Sequence, residues 1–326
     1  MAGQRPGRPS VGSRERKRWE ECPVRHIFII NPSAGKKRST KTLVEHIQAL
    51  DAPCEIHFTE KTGDARRIAR AAAESGEAVR IYACGGDGTL NEAVNGAAGY
   101  ENAAVTNVPT GTGNDFLKIF GRENKARFTD LEALSQGPQA AMDLIDCNGM
   151  LGIDIVCVGL DSRIAVDKDK YNALPLVTGM GAYILALLAN VMFKSIAQPT
   201  AVECGDLHFD GETTIVCVCS GRYYGGGFMP VGDNMPDDGL LETLVVRKVS
   251  RATFFRLVGR YAQGKYRDYP DLIWYRQGET VTIKGQDELV AVVDGEALRA
   301  RELTIGLSEK KVNFFYPAGL DYQPKT

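Results

Sequence analysis

Two glycine-bearing loops carry the residues best suited to chemistry. The first is Gly85-Gly86-Asp87-Gly88-Thr89-Leu90-Asn91-Glu92. Glycines let backbone N–H groups approach a phosphate closely, and the start of a helix favours negative charge. An aspartate inside such a loop repels phosphate unless a cation lies between, so Asp87 points to Mg2+ at a nucleotide site. A glycine-rich turn in which Asp87 only caps a helix has the same composition. The second loop is Pro109-Thr110-Gly111-Thr112-Gly113-Asn114-Asp115-Phe116. Thr112 and Asn114 offer hydrogen bonds to a nucleotide, and Asp115 offers a ligand to water or metal. One such loop reads as a turn, but two after consecutive strands are hard to explain as packing.

Three further stretches carry less information each. Asn31-Pro32-Ser33-Ala34-Gly35-Lys36 resembles the end of a P-loop, yet Ile30 stands where that motif needs glycine. A small-residue turn approaching nucleotide phosphates is the reading left for it. Asp294-Gly295-Glu296 follows an apolar strand, where a carboxylate can take a proton from an attacking hydroxyl. A plain hairpin turn would look the same. Met235-Pro236-Asp237-Asp238-Gly239-Leu240 offers an aspartate and nearby carbonyls to a hard cation, although spacing alone favours an ordinary β-turn.

The segments around these loops alternate. Apolar runs at residues 26–30, 55–59, 79–84 and 104–108 read as strands. Between them Leu43, Val44, Ile47 and Leu50 recur at helical spacing, as do Ile68, Ala69 and Ala72 behind a capping Asp64, and Leu90, Ala93, Val94 and Ala97. This order predicts a parallel sheet with helices on its faces. Ligands of such sheets bind at the carboxyl ends of the strands, where both glycine loops fall. After Gly137-Pro138 strand-like runs dominate, at 142–147, 152–158, 200–204, 213–220, 241–246, 280–283 and 289–293. That half reads as mostly β, with helical interruptions around 174–195 and 252–263 and a last short strand at 312–316.

Composition excludes several classes. The chain has 326 residues, room for two domains, and a formal net charge of −2, which gives no global basic field for nucleic acid. Its eight cysteines form no C-x-x-C pair and no zinc spacing, so they read as reduced thiols of a cytosolic protein. Residues 1–23 read as a disordered basic tail without the apolar stretch of a secretory signal. The longest apolar run, 180–193, is shorter than the roughly 20 residues a membrane helix needs, and core packing is its default reading.

Taken together, the five motifs resemble the diacylglycerol kinase catalytic-domain family, in particular its bacterial soluble lipid kinases. The resemblance spans residues 25–316, and the combination of Gly85 to Glu92 with Gly111-Thr112-Gly113-Asn114-Asp115-Phe116 is its specific part. It implies two domains. An NAD-kinase-like α/β domain at 24–138, to which 312–326 return, would precede an antiparallel β-sandwich lipid-substrate domain at 139–311, with ATP in the cleft between. Carried over by motif, ATP would contact Asn31, Pro32, Ser33, Ala34, Gly35, Thr59, Gly85, Gly86, Asp87, Gly88, Thr89, Leu90, Asn91, Thr112 and Glu296. Asp294 would be the general base. Asp238 with the carbonyls of Met235 and Leu240 would hold a structural Mg2+, and Asp87 and Asp115 would join the magnesium network at the phosphates.

The implied activity is ATP-dependent phosphorylation of a lipid hydroxyl, with diacylglycerol the leading substrate. Phosphatidylglycerol and a sphingoid base are other acceptors, while an NAD kinase and a non-catalytic nucleotide-binding regulator are the competing functions. Residues 247–276 interleave basic side chains with aromatics, which suits either an anionic membrane surface or a helix packed on the sandwich with a solvated basic face. The resulting picture is a cytoplasmic enzyme peripherally attached to membrane. Homodimers are common among proteins of this kind, and the sequence leaves oligomeric state open. Asp87→Ala is expected to abolish activity and magnesium-dependent ATP binding together. Unchanged nucleotide affinity, read by equilibrium titration, would count against a metal-bearing loop.

Overall fold

The computed structural model describes residues 24–35, 37–111, 113–172, 180–232 and 234–325. Thr112, Lys36, the tail at 1–23 and part of the helical stretch expected at 174–195 lie outside these residues. The first half runs β1 (Arg25–Ile30), α1 (Lys37–Gln48), β2 (Cys54–Phe58), α2 (Asp64–Glu74), β3 (Val79–Gly85), α3 (Asp87–Ala97) and β4 (Ala103–Pro109). The strands lie parallel in the order β2-β1-β3-β4. β1, β3 and β4 are buried along nearly their whole length, which is why they read as continuous apolar runs rather than alternating ones.

Helix α2 starts differently from expectation. Gly63 stands at its N-cap and Asp64 follows it, its carboxylate accepting the N–H groups of Glu60 and Lys61. The cap comes from α3, where the Glu92 carboxylate accepts Gly63 N–H at 2.9 Å and Ala65 N–H at 3.0 Å. The same two helices touch at Gly96, where a Cβ would lie 2.5 Å from the Arg66 carbonyl and 2.7 Å from Ala69 Cβ.

Beyond the short helix α4 (Leu131–Ser135) come β5 (Gln139–Cys147), β6 (Met150–Gly152), β7 (Ile155–Gly159), α5 (Leu160–Asn172) and α6 (Met180–Phe193). They are followed by β8 (Gln198–Cys204), β9 (Leu207–Cys219), β10 (Leu241–Arg247), α7 (Arg251–Tyr261), β11 (Ile273–Gly278), β12 (Thr280–Val293) and β13 (Glu296–Phe315). This half is antiparallel, in the order β11-β10-β9-β7-β12-β13. Strands β7 and β9 are covered on both sides. Val156, Val158, Val216 and Val218 join the core between the sheet layers, while Ile155, Cys157, Ile215, Cys217 and Cys219 pack with α5, α6 and α7 on the other face.

Twenty residues long, β13 ties the halves together. It pairs antiparallel with β12 along its first part and lies parallel to β4 at Asn313 and Phe314. Val312, Phe314, Phe315, Tyr316, Leu320 and Tyr322 then belong to the core of the parallel half. The short strand expected at 312–316 is thus the end of a much longer one. Two expected strands at 280–283 and 289–293 are likewise one strand, β12, with a register shift between Lys284 and Leu289. No helix among the described residues is long and apolar enough to cross a membrane.

Gly96→Ala is expected to cost about 1–3 kcal/mol in urea unfolding, because the added methyl meets backbone that cannot retreat. Gly259→Ala, on α7 with no atom near its missing Cβ, should instead be neutral or stabilising by about 0.5–1 kcal/mol.

Candidate functional site

Three loops meet at the carboxyl edge of the parallel sheet. Asn31 donates to Thr89 Oγ1 at 3.1 Å, and Thr59 N–H donates to the Ile30 carbonyl at 2.9 Å. Gly35 lies so close to the loop after β4 that a Cβ there would sit 2.7 Å from the Thr110 carbonyl. Thr110 and Gly111 both donate backbone N–H groups to the Gly85 carbonyl. At Gly111 a Cβ would come within 2.7 Å of Gly86 Cα, so the two glycine loops touch backbone to backbone and tolerate no side chain between them.

Asp87 opens α3 and accepts the N–H of Asn114 at 2.8 Å and of Asp115 at 2.5 Å. Burial, with the neighbouring Asp115 charge, pushes its pKa up. Asp115 in turn accepts Gly226 N–H at 2.7 Å from the antiparallel half and pairs with Lys118.

Asp294 and Gly295 form the two-residue turn between β12 and β13, with Val293 paired to Glu296. Both have positive φ, 45° and 94°, as a type I′ turn requires and as Asp-Gly favours. The hairpin and the positioned carboxylate are therefore the same object. The turn aims the Asp294 carboxylate at the connection between β6 and β7, where it accepts N–H groups of Ile153 at 2.6 Å, Asp154 at 3.2 Å and Ile155 at 2.8 Å. Burial pushes its pKa up to about 6, and Asp87 adds to the rise, while the three N–H donors oppose it.

Asp87, Leu90, Asn91, Asp115 and Asp294 line one cavity of about 550 Å3 between the two halves. Asn31 to Gly35, Thr59, Gly85 and Gly86 stand at the adjoining sheet edge rather than on this wall, and Glu296 is exposed beside the turn. Met235, Asp238 and Leu240 lie elsewhere, beside β5. There Asp238 accepts Leu240 N–H at 3.1 Å, and Asp143 accepts Gly239 N–H and pairs with Lys311. Asp237 Oδ1 and Glu242 Oε2 are buried there without a partner among the described residues. Such orphaned acceptors, with the Asp238 and Glu242 pKa values raised by burial, suit a hard cation.

Sequence reasoning missed three features. Asp154 is buried at the cavity, its Oδ1 has no partner among the described residues, and burial beside Asp294, Asp115 and Asp87 holds its pKa well above the usual range. A lone carboxylate opening the apolar run Ile155-Val156-Cys157-Val158 was the available signal. Asp161 also lines the cavity, accepts from Tyr224, and has its pKa pushed up to about 7 by burial. Gly225, Gly226 and Gly227 all have positive φ and bring their loop onto Asp115. Three successive glycines two turns beyond a strand were visible and went unused.

An excess of carboxylates over cations suits a divalent ion at this cavity. Among the described residues no three acidic, cysteine or histidine side chains form a ready cage. Mg2+ keeps several waters and takes one or two carboxylates together with phosphate oxygens. Asp161, Tyr183 and Tyr224 also border a second, apolar chamber of about 60 Å3 walled by Leu187, Phe228, Phe254 and Val258 among others.

Residues 25–147 match the diacylglycerol kinase catalytic domain, and 154–313 match the YegS C-terminal NAD kinase beta sandwich-like domain. A diacylglycerol kinase of Bacillus subtilis strain 168 is 29% identical over 276 residues, 82% of this chain and 88% of its own. A Pseudomonas aeruginosa PAO1 protein named "Probable lipid kinase YegS-like" is 29% identical over 298 residues, 90% of this chain and 94% of its own. The crystal structure of a diacylglycerol kinase from Bacillus anthracis Sterne shares the fold, with a TM-score of 0.67 at 20% identity over 92% of this chain and 99% of that one. Fold and site together define an ATP-using phosphotransferase. The chain belongs to the diacylglycerol kinase catalytic-domain family and is a lipid kinase.

The raised pKa of Asp161 makes the native chain bind a proton that the unfolded chain releases, between about pH 4 and 7. Its contribution therefore favours folding as pH falls through that window. His26, pushed down to about 4 by burial and Arg80, acts in the opposite sense below its unfolded value. Asp161→Asn is expected to gain stability over the parent at pH 8, on the order of 2 kcal/mol, and to lose that advantage by pH 5. A difference in unfolding free energy that is flat with pH would exclude a raised pKa at this carboxyl.

Proposed function

We propose that the chain transfers the γ-phosphoryl group of ATP to the hydroxyl of diacylglycerol, giving phosphatidic acid, at the surface of a membrane. The observation that carries this reading is the convergence of Asp87, Asp115 and Asp294 on one cavity that adjoins an apolar chamber. A polar end for phosphates and hydroxyl beside an apolar end for hydrocarbon suits a lipid acceptor and has no use for NAD. The names of the relatives support diacylglycerol over other lipids.

In this reading residues 24–138, completed by the returning C-terminal strand, bind nucleotide, and 139–311 bind lipid. Phosphates would lie against the backbone of Asn31 to Gly35 and Gly85 to Asn91, with Thr59, Thr112 and Glu296 at the rest of the nucleotide. Asp294 takes the proton of the lipid hydroxyl as that oxygen attacks the γ-phosphorus, and the bond to the bridging oxygen breaks with ADP as leaving group. Mg2+ at Asp87 and Asp115 would supply positive charge to the phosphate oxygens, and a second ion at Asp238 with the Met235 and Leu240 carbonyls would be structural. Held by three N–H groups, Asp294 has few rotamers open to it, so the base is fixed before substrate arrives. Its pKa near 6 lets it act as a base at neutral pH while staying strong enough to accept a proton.

Asp294→Asn is expected to fold normally yet lose ~10² or more in kcat. In the parent, kcat should fall as pH drops through about 6, as Asp294 takes up its proton. Labelled ATP presented with diacylglycerol, phosphatidylglycerol, a sphingoid base and NAD in turn tests the acceptor. Labelled product from NAD alone would overturn the lipid assignment.

A further inference from the structure

Among the described residues seven large apolar side chains are exposed, and five of them stand on α6, so the exposure is concentrated and not scattered. Ile184, Leu185, Leu188 and Met192 share the outer face, and Phe193 ends the helix 86% exposed. The opposite face is spent on the interior. Ala182, Ala186 and Asn190 are buried, and Tyr183 and Leu187 wall the apolar chamber. Both faces are apolar, and the helix carries no charge.

Around this face cations prevail, although Arg260 is paired with Asp268 at 3.8 Å. Next to α6, α7 holds Arg251, Arg256 and Arg260 and no acidic residue, and Phe255 is exposed between them. Arg251 donates to the Val191 and Lys194 carbonyls at 2.6 Å and 3.1 Å, which caps the end of α6 and fixes a cation beside Phe193. Asp167, which reaches Lys194 just beyond that end, is also engaged by Lys170 and Asn190. By contrast Phe254, Tyr261 and Tyr266 of the basic segment are buried, so the aromatics expected at an interface mostly pack inward.

We propose that the outer face of α6, with Phe255 and the arginines of α7, is the surface by which this protein enters an anionic bilayer, placing the apolar chamber directly behind the point of contact. The choice of a bilayer rests on the lipid-kinase reading above and on three observations. An apolar helix face rimmed by cations matches hydrocarbon beneath anionic headgroups. In a two-fold pairing of this face with a second copy, the α7 arginines would be brought together, and like charges there repel. The chamber of about 60 Å3 has room for roughly five waters, far less than an acyl chain, so most of the tail must stay in an apolar medium outside. α6 is the wall between that medium and the chamber.

The test is sedimentation with phosphatidylcholine vesicles, with and without phosphatidylglycerol, in the absence of ATP. The parent is expected to pellet with the anionic vesicles. M192S/F193S, exposed at both positions, is expected to keep its fold and its turnover of a water-dispersed short-chain diacylglycerol. It should lose about tenfold or more in vesicle partition and in turnover of a long-chain diacylglycerol held in those vesicles. R256E should weaken binding to the anionic vesicles alone, and Phe193→Trp should bind as the parent does with emission shifted to the blue. Equal pelleting of M192S/F193S and parent overturns the proposal, as does a dimer-to-monomer change in that variant with vesicle binding intact. A parent that binds vesicles through α6 but phosphorylates no lipid would leave this surface standing and remove the kinase reading instead.

Discussion

Carboxylates collected in a half-dry cavity repel one another, and the structure must hold them there. It does so with backbone N–H groups supplied by a different segment each time. Asp87 at the head of α3 grips the loop after β4. Asp115 in that loop grips the glycine turn at 226 in the other half. Asp294 on the β12–β13 hairpin grips the chain entering β7. A charge-assisted bond of this kind contributes more than a neutral one, and each spans elements far apart in sequence. The repulsion that the proposed metal and base chemistry would use and the bonds that join the two halves therefore belong to the same side chains.

This coupling explains why the cavity tolerates so little substitution around it. Gly86 and Gly111 meet without room for a methyl, and Gly113 and Gly221 lie against the carboxylates of Asp87 and Asp154. Bulk at Gly113 would push the Asp87 carboxylate away from its donors. Asp154 is the exception to the pattern, since its Oδ1 has no donor among the described residues. It lies at the cavity without serving as a clamp, and its raised pKa keeps it from adding a full negative charge there.

The parallel half was legible in the sequence because β1, β3 and β4 are short, buried along nearly their whole length and ended by turn residues, so apolar runs mark them directly. The antiparallel half was legible where burial is double, and at half-exposed β8 and the start of β12, where apolar residues alternate. The first part of β9 carries exposed His208 and Asp210, and the first part of β13 alternates Leu298, Leu303 and Ile305 with charged residues, so both were missed. β11 was hidden because Trp274 and Tyr275 lie among arginines and suggested an interface. Helix α6 was apolar all round, and composition cannot tell a helix buried on every side from one buried on half. At the site, Asp87, Asp115 and Asp294 were visible because aspartate among glycines at a strand end is unusual. Asp154 was not, because its significance lies in neighbours that only the fold supplies.

Strand β13 has a consequence for how the chain comes into being. A ribosome delivers the parallel strands first, but Val312, Phe314, Phe315 and Tyr316, which complete their core, follow only after the antiparallel strands. Until then β4 presents a raw edge, with one row of hydrogen-bonding groups unanswered. The nascent parallel half thus waits, incomplete, through synthesis of the whole antiparallel half. Completion of both halves falls at one moment, and during the wait an open edge is there for chaperones to shield.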